Sequence, residues 1–320
     1  MGATNALTYG VLLFSAVPGI TTVELQPHTV EAFDRYVRLA ETRVNLQAHS
    51  AGFLWVDAMP DRKIGVRRGE AIAEPAAGSG DTDIPDGSIH DWTGAVFIPG
   101  ATLPKTLALV QDYNNHKAIY KPEVQDSKLL GRTGDNFQIY LRLLKKQVIT
   151  VVLNTNHDVR YFPVDASHCY SQSHSTRIAE VDNPGEPDER EMQPGHDHGF
   201  LWRLNSYRRF EERDGGVYVE CEAISLTRNV PVGLGWLVNP ILRTLSRDSL
   251  RNSLETLRTA YGSLWGSQSW LQPAFSRLAP TAGALVPVAR DAPQGIVFRS
   301  CERHLSLGDS PACKPQTRLR

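Results

Sequence analysis

The chain has 320 residues, with 34 Lys+Arg against 35 Asp+Glu and a formal net charge of −1, a balance that excludes attachment to nucleic acid by bulk charge. A hydrophobic content of 41% excludes disorder throughout, and no apolar run reaches the roughly 18 residues of a membrane-spanning helix. The cysteines Cys169, Cys221, Cys301 and Cys313 form no CxxC pair, so neither a disulfide scaffold nor a common structural zinc site is expected.

Residues 1–22 hold the apolar run Leu7–Val17 followed by Pro18-Gly19, which reads as a secretory leader, with a buried N-terminal strand as the alternative. The expected location is therefore periplasmic or secreted, or cytoplasmic if the run is a strand. Residues 23–88 read as an N-terminal helical accessory region and linker. Val30, Phe33, Val37, Ala40 and Val44 recur at helical steps, after Pro27 and with Thr29 as the expected N-cap. Phe53–Val56 and Ile64–Ile72 are expected to be extended, and Ala76–Asp86 to be the linker.

From Ile89 the pattern is regular. Strands are expected at Trp92–Ile98, Val124–Leu130, Phe137–Leu144, Val148–Val159, Ser167–Val181, Gly199–Glu211 and Val217–Arg228. Turn signals separate several of them, among them Asp214-Gly215-Gly216 for a hairpin. One helix is expected over Thr102–Tyr120, with Pro104 in its first turn. A long amphipathic helix over about 236–262 carries Leu237, Ile241, Leu245, Leu250, Leu254, Leu257 and Tyr261, with a break expected near Ser246. Residues 264–320 are rich in Pro and Arg, sustain no period and are expected to be mostly disordered. A large antiparallel sheet needs its apolar face covered, and the long C-terminal helix is the expected cover.

The segments Gly94-Ala95-Val96-Phe97-Ile98, Leu103–Tyr113 and Trp202–Phe210, leading into Asp214-Gly215-Gly216-Val217-Tyr218-Val219-Glu220-Cys221-Glu222, resemble the START-like (SRPBCC) superfamily over about residues 89–263. More narrowly, the chain resembles a bacterial group with an exported N-terminus. The resemblance implies an α+β helix-grip fold, a seven-stranded curved antiparallel sheet wrapped on the long C-terminal helix. That superfamily includes lipid carriers, hormone receptors, polyketide cyclases and ring-hydroxylating oxygenase domains. The expected function is binding or carriage of a hydrophobic or amphipathic small molecule, lipid-like, in a cavity between sheet and helix. No cofactor, metal or nucleic acid is expected, and contact with a membrane surface is transient if it occurs. The alternatives are a cyclase or dehydratase using His157, His174 or a cavity Tyr as acid or base, and a protein whose cavity is filled by its own side chains.

The wall candidates are Tyr113, Tyr140, Asn154, Tyr170, His174, Trp202 and Asn205, large or hydrogen-bonding residues on the expected elements. Strand parity puts Ser171, Ser173, Ser175 and Arg177 on one face, Tyr170, Gln172, His174 and Thr176 on the other. It leaves open which face is concave, so about half of the candidates are expected to point inward. His196-Asp197-His198, in a loop with Glu186, Asp188, Glu189 and Glu191, reads as a solvated loop, with metal binding or a lid as alternatives. His168 and Cys169 point to opposite faces, so Cys169 and Cys221 read as small buried residues rather than nucleophiles. Arg142, Lys145, Lys146, Arg208, Arg209 and Arg213 read as a solvated rim paired with carboxylates, or as a surface for an anionic headgroup. No GxSxG, GxxxxGK[ST] or GxGxxG motif stands in a strand–turn–helix context.

Overall fold

The computed structural model describes residues 21–50, 52–146, 150–229 and 235–265, the last with side chains from residue 246. The expected leader up to residue 20 and the expected tail from residue 266 lie outside the described residues, as do the side chains of Leu237, Ile241 and Leu245. The described residues belong to one compact unit.

The elements run β1 (Val23–Glu24), α1 (Pro27–Ala48), a 3-10 turn (Trp55–Ala58), α2 (Pro60–Arg67), β2 (Ile72–Pro75), β3 (Asp81–Ile84) and β4 (Gly87–Pro99). There follow α3 (Leu103–Val110), a 3-10 turn (Tyr113–Asn115), α4 (His116–Ile119), β5 (Val124–Thr133), β6 (Asn136–Lys146), β7 (Thr150–Pro163) and β8 (His168–Asp182). The chain continues through β9 (Arg190–Glu191), β10 (His196–Asp197), β11 (Arg203–Arg213) and β12 (Gly216–Arg228) to α5 (Gly235–Trp265).

All the expected strands form, and with β2, β3 and β9 they make a 10-stranded antiparallel sheet. Its main path is β2-β4-β12-β11-β8-β7-β6-β5, with β3 also paired to β4 and β9 to β8. The β11–β12 hairpin turns where expected, with Asp214 and Gly215 both at positive φ, the conformation a tight two-residue hairpin demands. The sheet is therefore larger than seven strands, and the expected linker Ala76–Asp86 contains β3.

Other elements differ from expectation. The stretches Phe53–Val56 and Ile64–Ile72 are largely helical, because Pro60 starts α2 at a position where its missing N–H costs nothing and Val66 alone seats that helix in the core. Thr29 is not an N-cap. Gln26 precedes the helix, and the Thr29 hydroxyl donates to Pro85 O at 2.9 Å, tying α1 to the β3–β4 turn. The helix expected over Thr102–Tyr120 divides after Val110, where Asn side chains make other bonds: Asn115 Nδ2 donates to Asp112 Oδ2 and Asn114 Oδ1 accepts from Leu129 N. The C-terminal helix shows no break at Ser246.

Both faces of the sheet are covered. On the inner face Leu250, Leu254, Leu257 and Tyr261 of α5 pack with Trp92, Val96, Val217, Val219 and Phe210. Gly94 marks the close approach: a Cβ there would lie 2.9 Å from Leu254 Cδ1 and 2.7 Å from Ile72 O. On the outer face Phe33, Val37, Ala40 and Val44 of α1 pack with Ile89, Ile224, Leu226 and Trp202. This double cover explains why β4 and β12 are buried along nearly their whole length rather than at alternate residues.

Candidate functional site

Cross-strand register defines the inner face. Cys221 of β12, Arg208 of β11, Ser171 of β8 and Tyr161 of β7 are successive neighbours in one row. The next row holds Ala223, Ser206, Ser173, Val159 and Phe137. Beyond it a bulge at Asn156/His157 shifts the register of β8, so that Ser175 faces His157 and the inward series resumes at Ile178. Arg177 consequently turns to the outer side, where it pairs with Glu191.

The middle of this wall is not closely filled. Leu141, Leu204, Ser206, Arg208 and Ala223, together with Tyr120 after α4, keep accessible surface although they lie on the α5 side of the sheet, among buried neighbours. Close packing would remove that surface, so these side chains border an open interior. Around it the Tyr113 and Tyr161 hydroxyls bond each other at 2.9 Å. His157 has Nε2 against Thr155 Oγ1 at 3.1 Å, while its buried Nδ1 has no partner. Burial, and then the charge of Arg208, hold His157 at a pKa of about 4, so it is neutral at pH 7. Burial pushes Tyr120 up to about 12. Cys169 and Cys221 are buried free thiols on this face, and burial raises both pKa values.

Of the sequence candidates, Tyr113 borders this interior, packed edge-on against Phe137. The other six lie on the outer side. His174 Nε2 meets Glu41 Oε1 of α1 at 2.6 Å, and Asn205 is its cross-strand neighbour. Tyr170 stacks on Phe162 and packs with Phe53 and Leu54. Trp202 donates to Asp197 Oδ1 at 2.9 Å and packs beside α1. Tyr140 donates to Asn154 Oδ1, and Asn154 in turn donates to Glu191. The reason is α1: it gives the outer face its own apolar cover, so large residues are buried there as well.

Two of the expected rim residues, Arg208 and Arg209, do not stand on the rim. Arg142 pairs with Glu189, Lys145 with Glu123 and Arg213 with Asp57, whereas Arg209 is buried on the outer face against Glu220 and Arg208 stands inside. A signal was present: Arg208 shares its strand face with Leu204 and Phe210, an unusual place for a solvated cation.

The His196-Asp197-His198 loop is anchored rather than free. Asp197 is fully buried and accepts from Gly199 N and Trp202 Nε1, and buried Glu180 accepts from the backbone of His198 and Phe200. Among the described residues no three His, Cys, Asp or Glu side chains converge as metal ligands.

The outer face carries a buried acidic pair, Asp91 and Glu222. Tyr36 donates to Asp91 at 2.8 Å and Arg43 bonds Glu222. Burial, then the neighbouring Glu222 charge, raise Asp91 to about 7. A carboxyl raised in the folded state stabilises the fold below its unfolded pKa, and that stability is lost as pH rises from about 4 to about 7. Asp91→Asn is therefore expected to match the wild type at pH 4.5 and to exceed it at pH 8 by on the order of 2 kcal/mol. Urea midpoints at the two pH values measure this, and an equal difference at both would contradict it.

The architecture, a large antiparallel sheet with a long C-terminal helix packed on its inner face, is that of a helix-grip fold. No family model matches the chain, and no curated protein matches it. Among solved structures it is similar to a STAR-related lipid transfer protein from Xanthomonas axonopodis (16% identity, 57% of this chain and 98% of that one, TM-score 0.39). It is also similar to the Zhui aromatase/cyclase from Streptomyces sp. R1128 (9% identity, 56% and 98%, TM-score 0.38). A START superfamily protein from Mycobacterium smegmatis gives 13% identity, 55% and 98% coverage, and a TM-score of 0.36. The assignment of the fold stands on this chain's own strand order and on the seat of α5.

Proposed function

We propose that the protein binds a hydrophobic or amphipathic small molecule between the inner face of the sheet and α5, without turning it over. The observation that carries this reading is the accessible surface retained by Leu141, Leu204, Ala223 and Tyr120 on the α5 side of the sheet. Apolar walls supply affinity in such a space, and a few polar groups fix orientation. The cyclase or dehydratase alternative requires a proton acceptor in the interior. His157 and His116 both stand on the inner side, His116 packed between Tyr113 and Tyr120, but burial holds each at a pKa of about 4, so each is a weak base, and His174 lies on the far side of the sheet against α1. Export of the chain, with removal of a leader ending near residue 22, belongs to the same proposal.

The test uses protein freed of co-purified lipid and the neutral fluorescent probe N-phenyl-1-naphthylamine. Wild-type protein is expected to bind it with micromolar affinity, since burying a probe of this size at about 25 cal/mol per Å2 is sufficient. Ala223→Trp, which fills the interior from the middle of β12, is expected to abolish binding while the protein stays folded by circular dichroism. Folded wild-type protein that binds no such probe would replace this reading with a filled interior.

A further inference from the structure

Arg208 sits in the middle of β11 on the inner face, with Cys221 and Ser171 as its cross-strand neighbours. Its guanidinium is charged at any relevant pH and offers five N–H donors in a planar fork. Such a group is costly to hold inside a protein without a counter-charge. Among the described residues no carboxylate pairs with it, in contrast to Arg209, Arg142 and Arg213. The inner-face carboxylates at the two ends of this region are engaged elsewhere. Glu212 accepts from Leu103 N at 2.6 Å, and Glu180 accepts from His198 N and Phe200 N.

A second observation points to the same space. The Tyr120 hydroxyl makes no hydrogen bond among the described residues, yet Tyr120 keeps accessible surface, as Arg208 does. The buried His157 Nδ1 is also unpartnered. A cation and two neutral polar groups thus face one interior, and among the described residues nothing on the inner face between Glu180 and Glu212 carries a negative charge.

Resting on the reading of the interior as a binding site, we infer that the ligand is an amphipathic molecule carrying a single carboxylate, which seats on Arg208 with the Tyr120 hydroxyl as a further donor. The guanidinium fork matches a carboxylate in a bidentate pair. The charge count favours a carboxylate over a phosphate monoester. His157 and His116 are neutral there, so among the described residues the interior holds one positive charge, which balances one negative charge and leaves a dianion uncompensated. The apolar remainder, Leu141, Leu204, Ala223 and the α5 leucines, accommodates a hydrocarbon body. The polar end then lies against β11 and the apolar end along the helix.

The experiment compares cis-parinaric acid with its methyl ester on protein freed of lipid, at pH 8. Wild-type protein is expected to bind the acid at least about tenfold more tightly than the ester, the scale of one hydrogen-bonded charge pair in a dry site. Arg208→Met is expected to lose the preference, binding the acid no more tightly than the ester. In displacement of parinaric acid from the wild type, dodecanoate is expected to outcompete dodecyl phosphate. Equal wild-type affinity for acid and ester, or an acid preference that survives in Arg208→Met, would overturn the inference. So would stronger displacement by dodecyl phosphate, as to the carboxylate. The wild-type comparison needs no variant, so it decides the matter even if Arg208→Met fails to fold. Loss of both parinaric probes together with the neutral naphthylamine would instead remove the binding reading itself, whereas naphthylamine binding without acid preference removes the carboxylate seat alone.

Discussion

Glu220→Ala is expected to destabilise the protein by about 3–5 kcal/mol, the scale for breaking a buried ion pair by removing one partner. Glu220 is 1% exposed, on the outer face of β12. Its carboxylate accepts from Trp55 N at 2.9 Å, Val56 N at 2.8 Å and Arg209 Nε at 3.1 Å. Arg209 in turn donates to Gln47 of α1 at 2.8 Å. One side chain therefore fastens the start of the 3-10 turn, the end of α1 and the centre of the sheet. Removing it strands a buried guanidinium and two backbone donors, each costly in the dry outer layer. Chemical denaturation followed by circular dichroism measures the loss, and a change below about 1 kcal/mol would mean that water reaches this layer.

Leu254→Ala is expected to cost about 2–5 kcal/mol, the range for deleting a buried leucine without full collapse of the site. Leu254 is 3% exposed and meets the sheet at Gly94, where helix and strand come closest. The surroundings have little freedom to close the gap, because Gly94 is also held against Ile72 O of the neighbouring strand. The lost volume adds to the interior beside it. Thermal unfolding should fall by about 5–15 °C for a unit of this size, and binding of the neutral naphthylamine should persist. An unchanged midpoint would mean that α5 does not bear on the sheet at this point.

These two substitutions act on opposite faces, and that difference governs how much the sequence could reveal. The α5 stripe of Leu250, Leu254, Leu257 and Tyr261 was legible because one side of that helix is solvated, leaving a clean helical period. The α1 stripe from Phe33 to Val44 was legible for the same reason. The strands were legible as strands from their lengths and turns. Over β4, β11 and β12 their inward face was not, because α1 buries much of the outer side as well. Six of the seven wall candidates consequently lie on the α1 side, tied to Glu41, Asp197, Glu191 or the Phe53–Leu54 cluster.

Composition and periodicity by themselves determined the class of fold, the order of its principal elements and the helix that covers the sheet. These depend on local propensity, turn chemistry and apolar period, all of which are written along the chain. Tertiary structure alone decided that Arg208 leaves the basic rim for the interior, and that it joins Cys221, Ser171 and Tyr161 in one row. It also decided, through the bulge opposite Asn156, that the serines of β8 face inward while Arg177 turns out. Register between strands far apart in sequence sets these neighbours, and a shift of one residue reverses every side chain on a strand. No local pattern encodes that choice when both faces of the sheet are buried.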